Sequence, residues 1–249
     1  MPKYNINPAL VLQKNKDLNY YMTKVYGTTI VCIIITTGLG LYINQHFHIS
    51  IMKIFWLGVL ASFATIFAFN ATSRETNVTY DANGNAINEN EDPISRKLIF
   101  CGFLVAMSMI IAPLLGLLQR QNYLIIPIAI CISLLIMVLT HIYSIIKPLG
   151  YFDGWKTPLY GSLMALIGIQ LINLLLLVFI GSNIISTTLS NIDIYFGLAL
   201  FICFNIYETQ KTIKDYLKGD DDYLKHSLNF FLDFENIFIR IAQIIQKYF

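Results

Sequence analysis

The sequence predicts an all-α membrane protein: a seven-helix bundle with a polar last helix at its centre, or six spanning helices plus a re-entrant segment. Three observations carry this. Hydrophobic residues make up 56% of the 249 positions and charged residues 13%, where a soluble domain has about a quarter charged; mean hydropathy is +0.60. The apolar residues fall in runs near the roughly 20 residues that cross a bilayer. The final stretch, at 223–245, repeats polar residues at helical spacing.

Six runs span 27–43, 51–69, 98–118, 123–146, 159–180 and 192–207. No early apolar core precedes the first, so residues 1–24 read as a polar, basic N-terminal segment rather than a cleavable signal, and the first run serves as the targeting signal. The whole chain, 1–249, reads as a single polytopic membrane domain. The connection at 70–96 (NATSRETNVTYDANGNAINENEDPISR) is Asn-rich and poor in aliphatics, and is expected to be a flexible polar loop. Basic residues set the orientation. Lys3, Lys14, Lys16 and Lys24 precede the first run, and Arg74, Arg96 and Lys97 follow the second. Lys147 and Lys156 follow the fourth, and Lys211, Lys214, Lys218 and Lys225 surround the last turn. The opposite loops hold Lys53 and Arg120, plus Arg240 and Lys247 if the last segment crosses. The N-terminus and last turn are therefore expected in the cytoplasm. The net charge of +2 gives no reason to expect nucleic acid.

Several features read as structural. The four cysteines (Cys32, Cys101, Cys131, Cys203) lie inside apolar runs, which predicts neither a disulfide framework nor a CxxC metal site. The sequons at Asn70 and Asn77 fall on the side expected to be cytoplasmic. The stretch 81–92 (DANGNAINENED) mimics a calcium loop, but its sixth position is Ala86 instead of Gly and its twelfth is Asp92 instead of Glu. His141 reads as a packed, hydrogen-bonded core residue. Gln170 and Asn173, near neighbours on the fifth run, are expected to make interhelical hydrogen bonds.

The chemistry concentrates in the last hairpin. One arm ends FNIYETQKTIKDYL, the turn is KGDDD, and the return arm reads YLKHSLNFFLDFENIFIRIAQII. Glu208 and Asp233 lie symmetrically about the turn, which places them at one depth, roughly 14 Å in at about 1.5 Å per residue. His226, Asn229, Asp233, Asn236, Arg240 and Gln243 form a stripe that no lipid-facing helix tolerates. Two carboxylates that touch cannot easily both ionise, so they would take up and release protons as a unit. They would also offer oxygen ligands to Ca²⁺ in transit. The competing reading neutralises each acid separately, Glu208 by Lys211 or Lys214 and Asp233 by Arg240. Asp220 and Asp222 in the turn read either as a cation-attracting mouth or as an exposed turn after Gly219.

These residues resemble the C-terminal signature of the Bax inhibitor-1 (transmembrane Bax inhibitor motif) family. The matching elements are Glu208-Thr209-Gln210, the turn Gly219-Asp220-Asp221-Asp222-Tyr223, His226, and Leu232-Asp233-Phe234 with Phe238. Weaker similarity runs through Lys24-Val25-Tyr26 and Ala112-Pro113-Leu114. The resemblance implies seven helices with the last one central, and a pH-sensitive Ca²⁺ leak gated by Glu208 and Asp233. It also implies dampening of cell-death and stress signalling through store calcium, and contact with cell-death regulators or other membrane proteins. The eukaryotic look of the Lys-Val-Tyr start and the turn implies an endoplasmic reticulum or Golgi membrane, with a bacterial inner membrane as the prokaryotic alternative. The chain departs from the family in three ways. Glu208 stands where the first acid is usually Asp. The basic latch near the end of the second helix has only Arg74 as a substitute, one turn after Asn70. Glu235 is an added acid, about 200° round the helix from Asp233.

Protons and Ca²⁺ are thus the expected small partners, with no resident cofactor. A non-conducting scaffold is the alternative, with Lys211–Lys218 as a docking surface. No HExxH or embedded Gly-x-Gly-Asp motif is present, Asp193 reads as a helix-start residue, and no enzyme is expected. The Asp-Arg-Tyr and Asn-Pro-x-x-Tyr elements of a seven-helix receptor are missing.

Overall fold

The computed structural model describes residues 16–47, 50–80, 86–181 and 184–248. Seven long helices occur among them: α1 (Lys16–Phe47), α2 (Ile51–Ala71), α3 (Ile94–Gln121), α4 (Ile125–Ile146), α5 (Lys156–Phe179), α6 (Ile184–Leu217) and α7 (Tyr223–Tyr248). The first six are long and apolar enough to cross a membrane. This is a multi-pass, all-α membrane bundle. α1, with 32 residues, and α6, with 34, exceed the roughly 20 residues that a bilayer core needs. Both therefore project beyond it. Residues 1–15 of the expected N-terminal segment lie outside the described residues, and helix begins at Lys16, inside that segment.

The long polar connection departs from expectation. Instead of a loop throughout, β1 (Glu75–Tyr80) pairs antiparallel with β2 (Ala86–Glu91), in register from Glu75 opposite Glu91 to Tyr80 opposite Ala86. The run Thr-Asn-Val-Thr-Tyr is rich in residues that favour strands, and composition alone had hidden that. The calcium-loop resemblance fails in the same place: positions 86–91 are strand, while 81–85 lie outside the described residues.

The chain divides into two compact units, residues 30–120 and residues 1–29 with 121–249. In the first, small residues bring helices together. A Cβ on Gly58 of α2 would stand 2.7 Å from Met109 Cβ and 2.8 Å from the Ala106 carbonyl of α3, a close approach of the small-residue kind that drives helix association in lipid. Buried Arg96 pairs with Asp92 and covers the Phe69 ring at 4.2 Å from its centroid.

In the second unit, α7 packs along α6 and α4. Ser227 Oγ donates to the Val25 carbonyl of α1 at 3.0 Å, and Tyr26, His141 and Phe230 stack where α1, α4 and α7 meet. His141 is packed as expected, but its Nε2 has no hydrogen-bond partner. Fifteen of the 26 residues of α7 are buried, including Asp233, Glu235 and Arg240. Its polar stripe is thereby kept from lipid. Gln170 and Asn173 do bond across helices, to Asp193 Oδ1 at 2.9 Å and Ser190 Oγ at 3.0 Å.

Candidate functional site

The turn between α6 and α7 is set by two local rules. Gly219 takes φ +93°, a left-handed conformation open to Gly at no steric cost. Asp220 N–H donates to the Asp215 carbonyl and Gly219 N–H to the Tyr216 carbonyl, both at 2.9 Å. That pair of bonds is a Schellman closure of α6. Three residues on, Asp222 Oδ1 accepts from Lys225 N–H at 3.0 Å and caps α7. Asp222 is therefore a helix cap, and only 6% exposed. Asp220 Oδ2 accepts from Lys225 Nζ at 2.9 Å. Burial works against the Asp220 charge, but the Lys225 hydrogen bond and charge prevail and hold its carboxyl below the usual carboxylate range.

The Glu208-Thr209-Gln210 motif has a structural logic. Gln210 is clamped at the end of α4: its Nε2 donates to the Ser144, Lys147 and Pro148 carbonyls, and its Oε1 accepts from Gly150 N–H. Thr209 bonds back to the Asn205 carbonyl at 2.8 Å. Asn205 in turn reaches Thr140 Oγ1 on α4. These bonds fix the rotation of α6, so that Glu208 points along the α6–α7 seam.

Glu208 and Asp233 are both buried, at 5% and 6% exposure. No hydrogen bond joins their carboxylates. Both Glu208 oxygens accept from Lys211 Nζ at 2.9 Å, and Oε2 also accepts from Asn229 Nδ2 at 3.2 Å. Glu208 is thus level with Asn229, and Asp233 lies one helical turn further along the same face, about 6 Å on. The expectation of one depth is corrected by that turn. Asp233 keeps Oδ2 buried without a hydrogen-bond partner.

The separate-neutralisation reading holds for one acid and fails for the other. Lys211 takes Glu208, while Lys214 goes to Asp153 at 2.6 Å. Arg240 turns away from Asp233 to Asp193, with Nη2 3.3 Å from Oδ1. Asp193 was expected at a helix start but sits in the third turn of α6, where it also receives Gln170. Arg74 lies in the other unit, its Nε 3.5 Å from Asp92. Glu235 is 1% exposed, with Oε2 unpartnered.

His226 is fully buried. Its Nδ1 lies 3.0 Å from Thr212 Oγ1, and its Nε2 has no partner. Sequence reasoning missed Asn229 as a ligand of Glu208, although its place one turn before Asp233 on the polar stripe signalled the shared face. Asp215 was also missed: nothing in its spacing marks it until the helix reversal brings it beside Asp220 and His226.

The chain is 40% identical to Bax inhibitor 1 of Arabidopsis thaliana over 62 residues, 25% of each chain. It is 42% identical to Bax inhibitor 1 of Oryza sativa subsp. japonica over 55 residues, 22% of each. It is 33% identical to the Homo sapiens Bax inhibitor 1 over 85 residues, 34% of each. The matches thus span between about a fifth and a third of the relatives' length. The family described as inhibitor of apoptosis-promoting Bax1 matches residues 18–248, and with nearly the whole chain covered, the protein belongs to the Bax inhibitor-1 family.

Proposed function

We propose that the chain is a pH-regulated membrane Ca²⁺ leak channel or exchanger, gated by Glu208 and Asp233, that lowers store calcium and dampens cell-death and stress signalling. The observation that carries this reading is Asp233 Oδ2, a buried carboxylate oxygen without a donor, one turn from the residue that touches Glu208. A carboxylate inside a membrane bundle that lacks a partner is a place for a proton or a passing cation. The Glu208 carboxylate lies on the same seam, one turn away, so a charge at Asp233 meets a like charge across it. A proton exchanged there changes the repulsion between α6 and α7, which is how the seam would open. Dampening of cell death rests on the family's description and the relatives' names, and a home in the endoplasmic reticulum or Golgi on the sequence resemblance. No residue is assigned a catalytic role.

One observation favours a second reading. Lys211 holds both oxygens of Glu208, as expected of a structural ion pair in a non-conducting scaffold. Purified protein in Ca²⁺-loaded liposomes separates the two. The leak reading expects release whose rate depends on pH, with that dependence shifted or lost in Glu208→Gln and Asp233→Asn. Release no faster than from empty liposomes at every pH, in wild type and both variants, leaves the scaffold.

A further inference from the structure

We propose that Asp215, Asp220 and His226 form a binding site for a zinc-class divalent cation at the α6–α7 turn, separate from the Glu208–Asp233 seam. Each offers one ligand atom, and the three atoms lie within 4.8 Å of one another. Ligands around a tetrahedral ion at about 2.0–2.2 Å stand roughly 3.3–3.5 Å apart, so small side-chain rotations close the set. Acidic turns alone are common; the imidazole makes this one different. His226 is fully buried and its Nε2 has no hydrogen-bond partner, a state that costs free energy unless something occupies it. Its Nδ1 faces Thr212 Oγ1 at 3.0 Å. That contact holds the ring plane, and with Nδ1–H donating to the threonine oxygen the Nε2 lone pair is left for a metal, the arrangement outer partners give metal-bound histidines.

The donor set selects the ion. One imidazole with two carboxylates suits zinc, whereas Ca²⁺ takes six to eight oxygens and Mg²⁺ keeps most of its water. The elements that bring the donors together are the Schellman closure that sets Asp220 beside the last turn of α6 and the Asp222 cap that starts α7. Lys225 occupies Asp220 Oδ2 at 2.9 Å and is 42% exposed on its side chain. It serves as the counter-charge when no ion is bound and swings into solvent when one arrives.

The test is zinc titration calorimetry on the full chain in detergent micelles after chelator treatment, with the visible spectrum of added Co²⁺ as a report of ligand type. Wild type is expected to bind one Zn²⁺ in preference to Ca²⁺ or Mg²⁺, with a Co²⁺ spectrum of low coordination number. Asp215→Asn and Asp220→Asn each weaken zinc by about tenfold or more, in line with loss of a ligand. Both positions are half-exposed, and helical circular dichroism verifies folding. Lys225→Met removes the competing ammonium and tightens binding, a change opposite in sign to general damage. Glu208→Gln and Asp233→Asn bind as wild type, so failure of the leak reading and failure of this site are distinguishable. Absence of saturable zinc binding, binding that survives both aspartate changes, or an affinity in Lys225→Met no better than wild type overturns the site.

Discussion

The guanidinium of Arg240 lies across the backbone of Gly197, where a Cβ would overlap its Nε and stand 2.6 Å from Cζ and Nη2. Glycine at 197 is what lets α7 place a charged side chain against α6 deep in the bundle. The same guanidinium reaches Asp193, four residues earlier on α6, and stacks on Phe201, four residues later, 4.9 Å from the ring centroid.

Gly197→Ala sets two effects against each other. Alanine gains about 1 kcal/mol of helix propensity over glycine. Displacing the Arg240 side chain, 4% exposed, from the half-buried Asp193 carboxylate strands a buried cation, at about 3 kcal/mol. The second effect wins, and the variant is expected to be less stable by about 2 kcal/mol. Thermal unfolding in micelles reads this out; an unchanged or raised midpoint contradicts it.

Asp193→Ala strands the guanidinium without its carboxylate, whereas Arg240→Met replaces the cation by an apolar chain of similar reach. The first is expected to cost about 3 kcal/mol and the second less. The double variant should be close to Arg240→Met alone, because the pair acts as one unit. Denaturation midpoints of the three proteins decide, and additive losses would show that Asp193 and Arg240 do not depend on each other.

Turn chemistry gives a third expectation. Gly219→Ala forces a Cβ into φ +93° and Asp222→Ala removes the α7 cap, each at about 1 kcal/mol. Hydrogen exchange at the first amides of α7 should rise in Asp222→Ala, with the α6 end affected more by Gly219→Ala. Equal protection in both variants would place the stability of this hairpin elsewhere.

Hydrophobic run length made six spans legible, and the polarity of 223–245 made the last helix the buried one, because both follow from the cost of polar groups in lipid. Run length could not give the true ends of α1 and α6, whose polar turns are packed by Tyr21 on Tyr216 at 4.5 Å and by Lys24 over Tyr223. Strand pairing at 75–91 stayed hidden because an Asn-rich strand has no apolar alternation. At the candidate site, spacing identified the seam that holds Glu208 and Asp233. It missed their offset by a turn, because equal counting from the turn ignores where α6 ends, where α7 is capped, and how far a glutamate reaches. The partner of Arg240 was misjudged for a related reason. Charge spacing along α7 favours Asp233, while the opening left by Gly197 directs the side chain to Asp193, and only packing reveals an opening.

The offset between the two seam acids has an energetic consequence. Glu208 has a cation and an amide as partners, and Lys211 is 27% exposed on its side chain, so solvent screens part of that attraction. Lys211→Met should destabilise the fold by about 1–2 kcal/mol, and adding Glu208→Gln should recover part of the loss, since a neutral amide no longer needs the ammonium. The Glu208–Asp233 cycle should have the opposite sign. Neutralising one acid relieves like-charge repulsion on the other, so the double variant Glu208→Gln/Asp233→Asn is expected to be less stable than the sum of the two single changes. Chemical denaturation of the single and double variants measures both couplings in one buffer. A favourable Glu208–Lys211 coupling with no coupling between the acids would mean that α6 and α7 are held by separate contacts, and a proton on Asp233 would then have no leverage on the seam. Coupling in both cycles would mean that the ammonium and Asp233 compete for influence on one carboxylate, the arrangement through which a single proton can alter how the two helices pack.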